Sequence, residues 1–188
     1  MQIKVDSKIS LVLIEDSHAA GIFNLINTCR PYLKQWLPWV DNTKTVDDTR
    51  DFIKFCQQRY ESKTGLDLCI LVENNPAGII SLHKIDYLNK TTSIGYWLAD
   101  IFQGHGSMTK ACGKLTDYCF TTLDLNRVEI KCATGNLKSQ AIPQKLNFKK
   151  EGTLRQAEFL NNEFVDLYLF SVVKAEWKNF HKHEQPGA

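Results

Sequence analysis

Residues 94–111 read Ile94-Gly95-Tyr96-Trp97-Leu98-Ala99-Asp100-Ile101-Phe102-Gln103-Gly104-His105-Gly106-Ser107-Met108-Thr109-Lys110-Ala111. An apolar run of strand character enters a loop with two glycines, and the chain leaves it as a helix. The first turn of a helix offers main-chain N–H groups with no internal partner, at the positive end of the helix dipole. That place suits an anion, phosphate above all. Gly104 and Gly106 permit unusual backbone angles and close approach of main chain to a ligand. Two common phosphate motifs fail here. A P-loop needs Gly-Lys-Ser/Thr four residues after its first glycine, and Thr109-Lys110-Ala111 stands there. A dinucleotide fingerprint needs a third glycine, where this chain has Thr109. Taken alone, the two glycines fit either a phosphate loop of another kind or a plain connection.

Other residues have types that could do chemistry. His83 lies in a strand-like run and reads as a hydrogen-bonded structural histidine or as a base. His105 sits in the glycine loop, where it could add charge near phosphate or face solvent. Tyr32, Trp36 and Trp39 fall in an irregular aromatic stretch that either walls a cleft or fills the core. The six cysteines, at 29, 56, 69, 112, 119 and 132, show no Cys-x-x-Cys spacing and no zinc-like histidine partner, so they read as buried reduced thiols. His181 and His183 could touch a metal, but a solvated tail accounts for them better.

The elements that must position these residues follow from periodicity. Residues 9–14 read as a strand. Asp16 or Ser17 can cap a helix bearing Ala20, Phe23, Leu25 and Ile26. Pro31 opens a short helix that Pro38 stops. Thr45 caps a helix whose apolar positions are Phe52, Phe55, Cys56 and Tyr60. Strands over 66–73, 77–85 and 91–99 form an antiparallel meander, with a turn at Asn74-Asn75-Pro76. Residues 107–123 are a helix, 127–133 a strand and 136–146 a helix. Residues 148–160 and 164–173 make a hairpin about Asn161-Asn162. This order is not a regular βαβ repeat. It predicts an α+β (mixed α/β) domain with a mostly antiparallel sheet of about seven strands flanked by helices.

Length and charge bound the rest. With 188 residues the chain is one domain, taken as 1–180, with a polar tail at 181–188. Lys and Arg number 23 against 21 Asp and Glu, a net charge of +2 that disfavours a broad nucleic-acid or membrane surface. No apolar run approaches the ~20 residues that span a bilayer, and the N-terminal residues lack a signal-peptide core, which points to the cytoplasm.

The run Gln103-Gly104-His105-Gly106 after Ile94-Gly95-Tyr96-Trp97-Leu98 resembles the acetyl-CoA loop of the GNAT acetyltransferases, Gln/Arg-x-x-Gly-x-Gly/Ala. Further stretches resemble the RimJ/RimL-type branch that acetylates ribosomal-protein N-termini. They are Tyr32-Leu33-Lys34-Gln35-Trp36-Leu37-Pro38-Trp39, Leu88-Asn89-Lys90-Thr91, Leu125-Asn126-Arg127-Val128-Glu129-Ile130, Asn136-x-x-Ser139, Ala141-Ile142-Pro143, Leu146-Asn147-Phe148, Glu151-Gly152 and Gln156-Ala157-Glu158-Phe159-Leu160-Asn161. The likeness covers about residues 8–175. Two positions depart from it: Met108 closes the loop pattern, and Ser93 stands where relatives often carry Glu, so residue 93 supplies no base here.

The resemblance implies a GNAT fold, acetyl-CoA as co-substrate, no metal, no nucleic-acid or membrane partner and a homodimer. It implies acetyl transfer to a primary amine by direct attack in a ternary complex. The cofactor residues it implies are Trp97, Leu98, Ala99, Gln103, Gly104, His105, Gly106, Ser107, Met108, Thr109, Asn136 and Ser139. Main-chain N–H groups of 104–109 would hold the pyrophosphate, the pantetheine would pair beside 96–99, and an N–H near Leu98 would meet the oxyanion. Ser139 would protonate the leaving thiolate and Glu158 would take the amine proton. Tyr32, Trp36, Trp39 and His83 would wall the acceptor side. A covalent route through Cys132 lacks triad partners. At pH 7 an α-amine is roughly 10% neutral and a lysine roughly 0.04%, which favours an N-terminal acceptor. A small amine such as a polyamine or aminoglycoside, and a non-catalytic acyl-CoA sensor, are the alternatives.

Overall fold

The computed structural model describes residues 1–177. The expected tail at 181–188 lies outside them. Eight strands form one sheet: β1 (Gln2–Lys4), β2 (Ile9–Leu13), β3 (Leu66–Val72), β4 (Asn75–Leu82), β5 (Thr91–Leu98), β6 (Arg127–Ala133), β7 (Lys149–Leu160) and β8 (Glu163–Val173). The order across it is β1-β2-β3-β4-β5-β6-β8-β7. Only β5 and β6 run parallel, joined by a crossover helix. The seven expected strands are present. The eighth, β1, is three residues long, too short to show a period, and forms because β2 offers it a free edge.

The helices are α1 (Ala19–Thr28), α2 (Arg30–Leu33), α3 (Val46–Glu61), α4 (Ser107–Thr121) and α5 (Leu137–Lys145). Thr45 caps α3 through a capping box: its hydroxyl accepts from the Asp48 N–H, and the Asp48 carboxylate accepts from the Thr45 N–H at 2.7 Å. The expected cap at Asp16 or Ser17 is replaced. A 3₁₀ turn over Asp16–His18 precedes α1, and Glu15 and His18 cap it reciprocally. The β3–β4 turn starts one residue earlier than expected, at Glu73 and Asn74. Both have positive φ, as a two-residue hairpin of this hand requires. The β7–β8 turn falls at Asn161 and Asn162, φ 52° and 67°, as expected.

Core packs on both sheet faces. Leu68, Ile70, Ile80, Leu82 and Ile130 meet Ala111, Cys112 and Leu115 of α4. Cys69, Ile79 and Trp97 face the other way, onto Ile22, Ile26 and Ile53 of α1 and α3. This two-sided burial explains why β3 reads as a continuous apolar run. The α3 periodicity differs in its facing. Thr49, Ile53 and Cys56 are buried, while Phe52 and Phe55 keep 40% and 55% of their surface exposed.

Candidate active site

The site begins where β5 and β6 part. Their parallel pairing runs from Thr91↔Arg127 to Ile94↔Ile130 and stops. Beyond it β5 stays paired with β4 as far as Leu98, and β6 follows β8 to Ala133. The ladder decides which main-chain groups face the gap. His83 N–H donates to Ser93 C=O and Ala99 N–H to Ala77 C=O, both at 2.9 Å. Odd-numbered residues of β5 therefore bond to β4, and the main-chain groups of Tyr96 and Leu98 point into the split. The Leu98 carbonyl is taken by the Gln103 side-chain amide at 3.0 Å, which leaves the Leu98 N–H facing the gap. Lys138 holds the other end of the Gln103 amide, Nζ to Oε1 at 3.1 Å.

The loop after β5 opens on this gap. Gly104 and Gly106 have φ of 85° and 73°, and a Cβ built on either meets nothing within 4 Å. Gly106 is the N-cap of α4, and no side chain caps that helix. The first-turn N–H groups are thus free for a phosphate-bearing ligand. The Ser107 and Met108 side chains are buried inward, so Met108 fits the loop pattern through its main chain.

A cavity of about 1260 Å³ joins this loop to the far side of the split. Of the expected residues, Tyr32, Trp36, Trp39, His83, Trp97, Leu98, Gln103, Gly104, Gly106, Ser107, Met108, Thr109, Asn136, Ser139 and Glu158 line it. Two do not. Ala99 is fully buried in the core and its N–H is bonded to β4. His105 is exposed and outside the lining.

Ser139 stands in the first turn of α5, whose N-cap Asn136 accepts its N–H at 3.0 Å. Its hydroxyl contacts Cys132 Sγ at 3.2 Å and the Tyr96 hydroxyl at 3.3 Å. The Tyr96 hydroxyl donates to the Ser139 carbonyl at 3.0 Å. Burial raises the Tyr96 pKa well above its ordinary value, and raises that of Cys132. Cys132 is thus a protonated thiol, poorly suited to covalent catalysis.

Glu158 reaches the cavity through a bulge. The β7–β8 register jumps between Leu154↔Leu167 and Glu158↔Val165. Gln156 takes φ 50°, and its N–H is pinned by the Asp166 carboxylate at 2.8 Å. A bulge of this kind re-aims a side chain. No hydrogen bond or ion pair to the Glu158 carboxylate is found among the described residues, and partial burial raises its pKa. The other cavity carboxylates are engaged. Asp48 caps α3, Asp67 binds Arg59 at 2.7 Å, and Asp100 accepts from the Ile101 N–H and the Cys29 thiol.

The aromatic stretch walls the cleft. Trp39 and Trp97 pack with ring centroids 6.2 Å apart, and Trp36 lies over Gly135 of the β6–α5 turn. Lys138 sits 5.1 Å over the Tyr32 ring, and Asn161 of the β7–β8 turn donates to the Gln35 carbonyl at 3.2 Å. These contacts roof the split with the α2 segment. His83 differs from the expectation of a hydrogen-bonded structural histidine. Its ring lies against Gly95, with no hydrogen bond among the described residues, and desolvation by the surrounding protein, with nearby Arg59, lowers its pKa although the residue keeps exposed surface.

Reading the sequence missed Tyr96 as a partner of Ser139, Lys138 as the brace of Gln103, and Phe52 and Phe55 as cleft residues. Only Lys138 carried a signal, a cation in the first turn of a helix next to the loop. Among the described residues no group of three or more His, Cys, Asp or Glu side chains could hold a metal ion. Nor is any described helix long and apolar enough to cross a membrane.

The comparisons agree with this geometry. The family described as "Acetyltransferase (GNAT) domain" matches residues 8–149. The putative ribosomal N-acetyltransferase YdaF of Bacillus subtilis (strain 168) is 36% identical over 93% of this chain and 96% of its own. The solved RimL, a ribosomal L7/L12 alpha-N-protein acetyltransferase with coenzyme A in disulfide linkage to one of its cysteines, superposes with TM-score 0.89. It is 28% identical and covers 92% of this chain and 98% of that one. The microcin C7 self-immunity acetyltransferase MccE, solved with acetyl-CoA and AMP, is 33% identical with TM-score 0.88, covering 91% and 95%. The split strands, the uncapped helix start behind two glycines and the sequence match lead to one assignment: this chain belongs to the GNAT acetyltransferase family, has the GNAT fold, and is an acetyl-CoA-dependent N-acetyltransferase.

Proposed function

We propose that this acetyltransferase acts on the α-amine at the N-terminus of a protein, a ribosomal protein in the first instance, by direct attack in a ternary complex. The observation that carries the reading is how the carboxylates of the cavity are partnered. Glu158 is its one carboxylate without a partner among the described residues. One free carboxylate suits one ammonium group. A polyamine would find Asp67 neutralised by Arg59, and oxygens of Asp48 and Asp100 already accepting hydrogen bonds. The names of YdaF and RimL support the ribosomal acceptor.

The chemistry follows from the placement of groups. Main-chain N–H groups from Gly104 to Thr109 hold the pyrophosphate, and the open edge at Tyr96 and Leu98 pairs with the pantetheine amides. Acetyl-CoA supplies an acetyl group as a thioester. Glu158, directly or through water, takes a proton from the ammonium, and the nitrogen lone pair forms the new C–N bond. The Leu98 N–H donates to the carbonyl oxygen as charge gathers there. The C–S bond then breaks, and Ser139 gives its proton to the sulfur. The acylated nitrogen sheds its second proton, which through solvent restores that of Ser139, and solvent removes the proton from Glu158, so the net products are an amide, a free thiol and one proton.

A homodimer in the cytoplasm completes the proposal, and sedimentation tests the first part of it. Thiol release from acetyl-CoA with an N-terminal Ser peptide, with spermidine and without acceptor tests the acceptor class. Turnover with the peptide is expected. Turnover with spermidine alone overturns the reading, and tight binding without turnover on either indicates an acyl-CoA sensor.

A further inference from the structure

The cavity has an arm that the acetyl-transfer chemistry does not use. It is lined by α3, through Asp48, Thr49, Phe52, Phe55 and Arg59. Of these, Asp48, Phe52, Phe55 and Arg59 recur at intervals of three and four and so occupy one face of the helix. Two neighbouring phenylalanines half-open to water, at 40% and 55%, flank the buried Thr49, Ile53 and Cys56 of the same helix, whose remaining face carries exposed Arg50, Lys54 and Glu61. Arg59 closes the far end. Its guanidinium lies 5.7 Å over the Phe55 ring and is held by the buried carboxylate of Asp67 and by the Leu82 carbonyl. Trp39, itself partly exposed, lines the same cavity and packs on Trp97.

From Asp48 to Arg59 the helix rises about 16 Å at ~1.5 Å per residue. An extended chain advances ~3.3 Å per residue, so the arm matches about five residues of extended polypeptide. Successive same-side residues of such a chain stand roughly 6.6 Å apart, close to the spacing of side chains three apart on a helix. A linear polycation is disfavoured at the far end, where Arg59 neutralises Asp67 and its cation stands across the path. The arm is continuous with the space that holds Glu158 and Ser139.

We infer that the Phe52–Phe55 face of α3 is the docking ledge for the acceptor polypeptide behind its reacting amine, and that it selects acceptors with an apolar side chain within residues 2 to 5. This rests on the N-terminal reading and adds a preference for the acceptor residues behind the acetylated one. Burying an apolar side chain against the two rings supplies selectivity without a further charge.

The test is a scan of hexapeptides, Ser followed by glycines, with Leu walked through positions 2 to 5. Leu at one or two positions is expected to raise kcat/KM at least tenfold over the all-glycine peptide. The gain falls below threefold in both Phe52→Ala and Phe55→Ala and is kept in Phe52→Leu, which preserves an apolar wall and controls for folding. Turnover of the peptides with no Leu position favoured overturns the ledge and leaves the N-terminal reading intact. A gain that survives both alanine variants overturns it equally. Turnover of none of the peptides, with acetyl-CoA still bound, overturns the N-terminal reading and the ledge with it.

Discussion

The hydroxyl of Ser139 lies 3.3 Å from that of Tyr96 and has the free proton of the pair, because Tyr96 donates its own to the Ser139 carbonyl at 3.0 Å. In the proposed reaction Tyr96 would accordingly be a positioning residue and Ser139 the donor. The Ser139 hydroxyl oxygen already lies 3.2 Å from a sulfur, that of Cys132, on the wall where the thioester would run.

Ser139→Ala is expected to lower kcat about 100-fold near pH 7, the low end for loss of a general acid. A free thiol has a pKa near 8.5, so a departing thiolate needs its proton less as the pH approaches that value. The deficit then shrinks toward pH 9. Tyr96→Phe loses about tenfold in kcat with little change in the Kd of acetyl-CoA. Rate measurements from pH 6.5 to 9 check both, and a Ser139→Ala deficit that stays constant with pH removes Ser139 from the acid role.

Glu158→Gln is expected to lower kcat by about 10²–10⁴ and to leave acetyl-CoA affinity unchanged. In the wild type, kcat/KM falls as the pH drops through the Glu158 pKa, which burial holds above its ordinary 4.5, because the protonated acid accepts nothing. The sign for stability is opposite. A carboxyl whose folded pKa is raised favours the fold below its unfolded pKa, and that contribution is lost as the pH rises through the folded value. Glu158→Gln therefore keeps or raises Tm at pH 7 while activity falls. Full activity in the variant eliminates Glu158 as the base and leaves neutral His83 as the candidate.

Gly106→Ala separates ligand binding from folding. A Cβ there meets no protein atom within 4 Å, so the fold loses only the cost of a left-handed alanine, about 1–2 kcal/mol. The Kd of acetyl-CoA, measured by calorimetry, rises about tenfold or more, because the new methyl stands where the pyrophosphate meets the main chain. A Kd unchanged within twofold places the phosphates elsewhere.

Arg59→Ala leaves the Asp67 carboxylate, whose side chain is 3% exposed, buried without its partner. Breaking a buried pair in this way costs about 3–5 kcal/mol, which urea unfolding reads directly. Arg59→Met with Asp67→Asn restores much of the loss by removing both charges. A loss below about 1 kcal/mol for Arg59→Ala means the pair behaves like a solvated one.

The parts of this site that were legible in the sequence are the local ones. The glycine loop and the start of α4 adjoin in the chain, so their chemistry can be read there. The meander and the β7–β8 hairpin announce themselves through period and turn residues. What escaped depends on contacts distant in sequence. Phe52 and Phe55 have helical spacing, but only the packed sheet decides which face of α3 is covered. The bulge that aims Glu158 is held by Asp166 from the next strand, and nothing in Arg155-Gln156-Ala157 signals it. Tyr96 meets Ser139 across 43 positions of chain. Ala99 lies outside the cavity because strand parity, fixed by the β4 ladder, turns its N–H away from the split.

The central claim is that one α-amine, met by the lone carboxylate of Glu158, is the group acetylated. The direct measurement is mass-spectrometric mapping of the acetyl group in a mixture of three acceptors: a peptide with a free N-terminal Ser and an internal Lys, the same peptide with its α-amine blocked, and spermidine. The account predicts acetyl on the α-amine of the free peptide alone, lost in Glu158→Gln. Acetyl on the lysine of the blocked peptide, or on spermidine ahead of the free peptide, contradicts it.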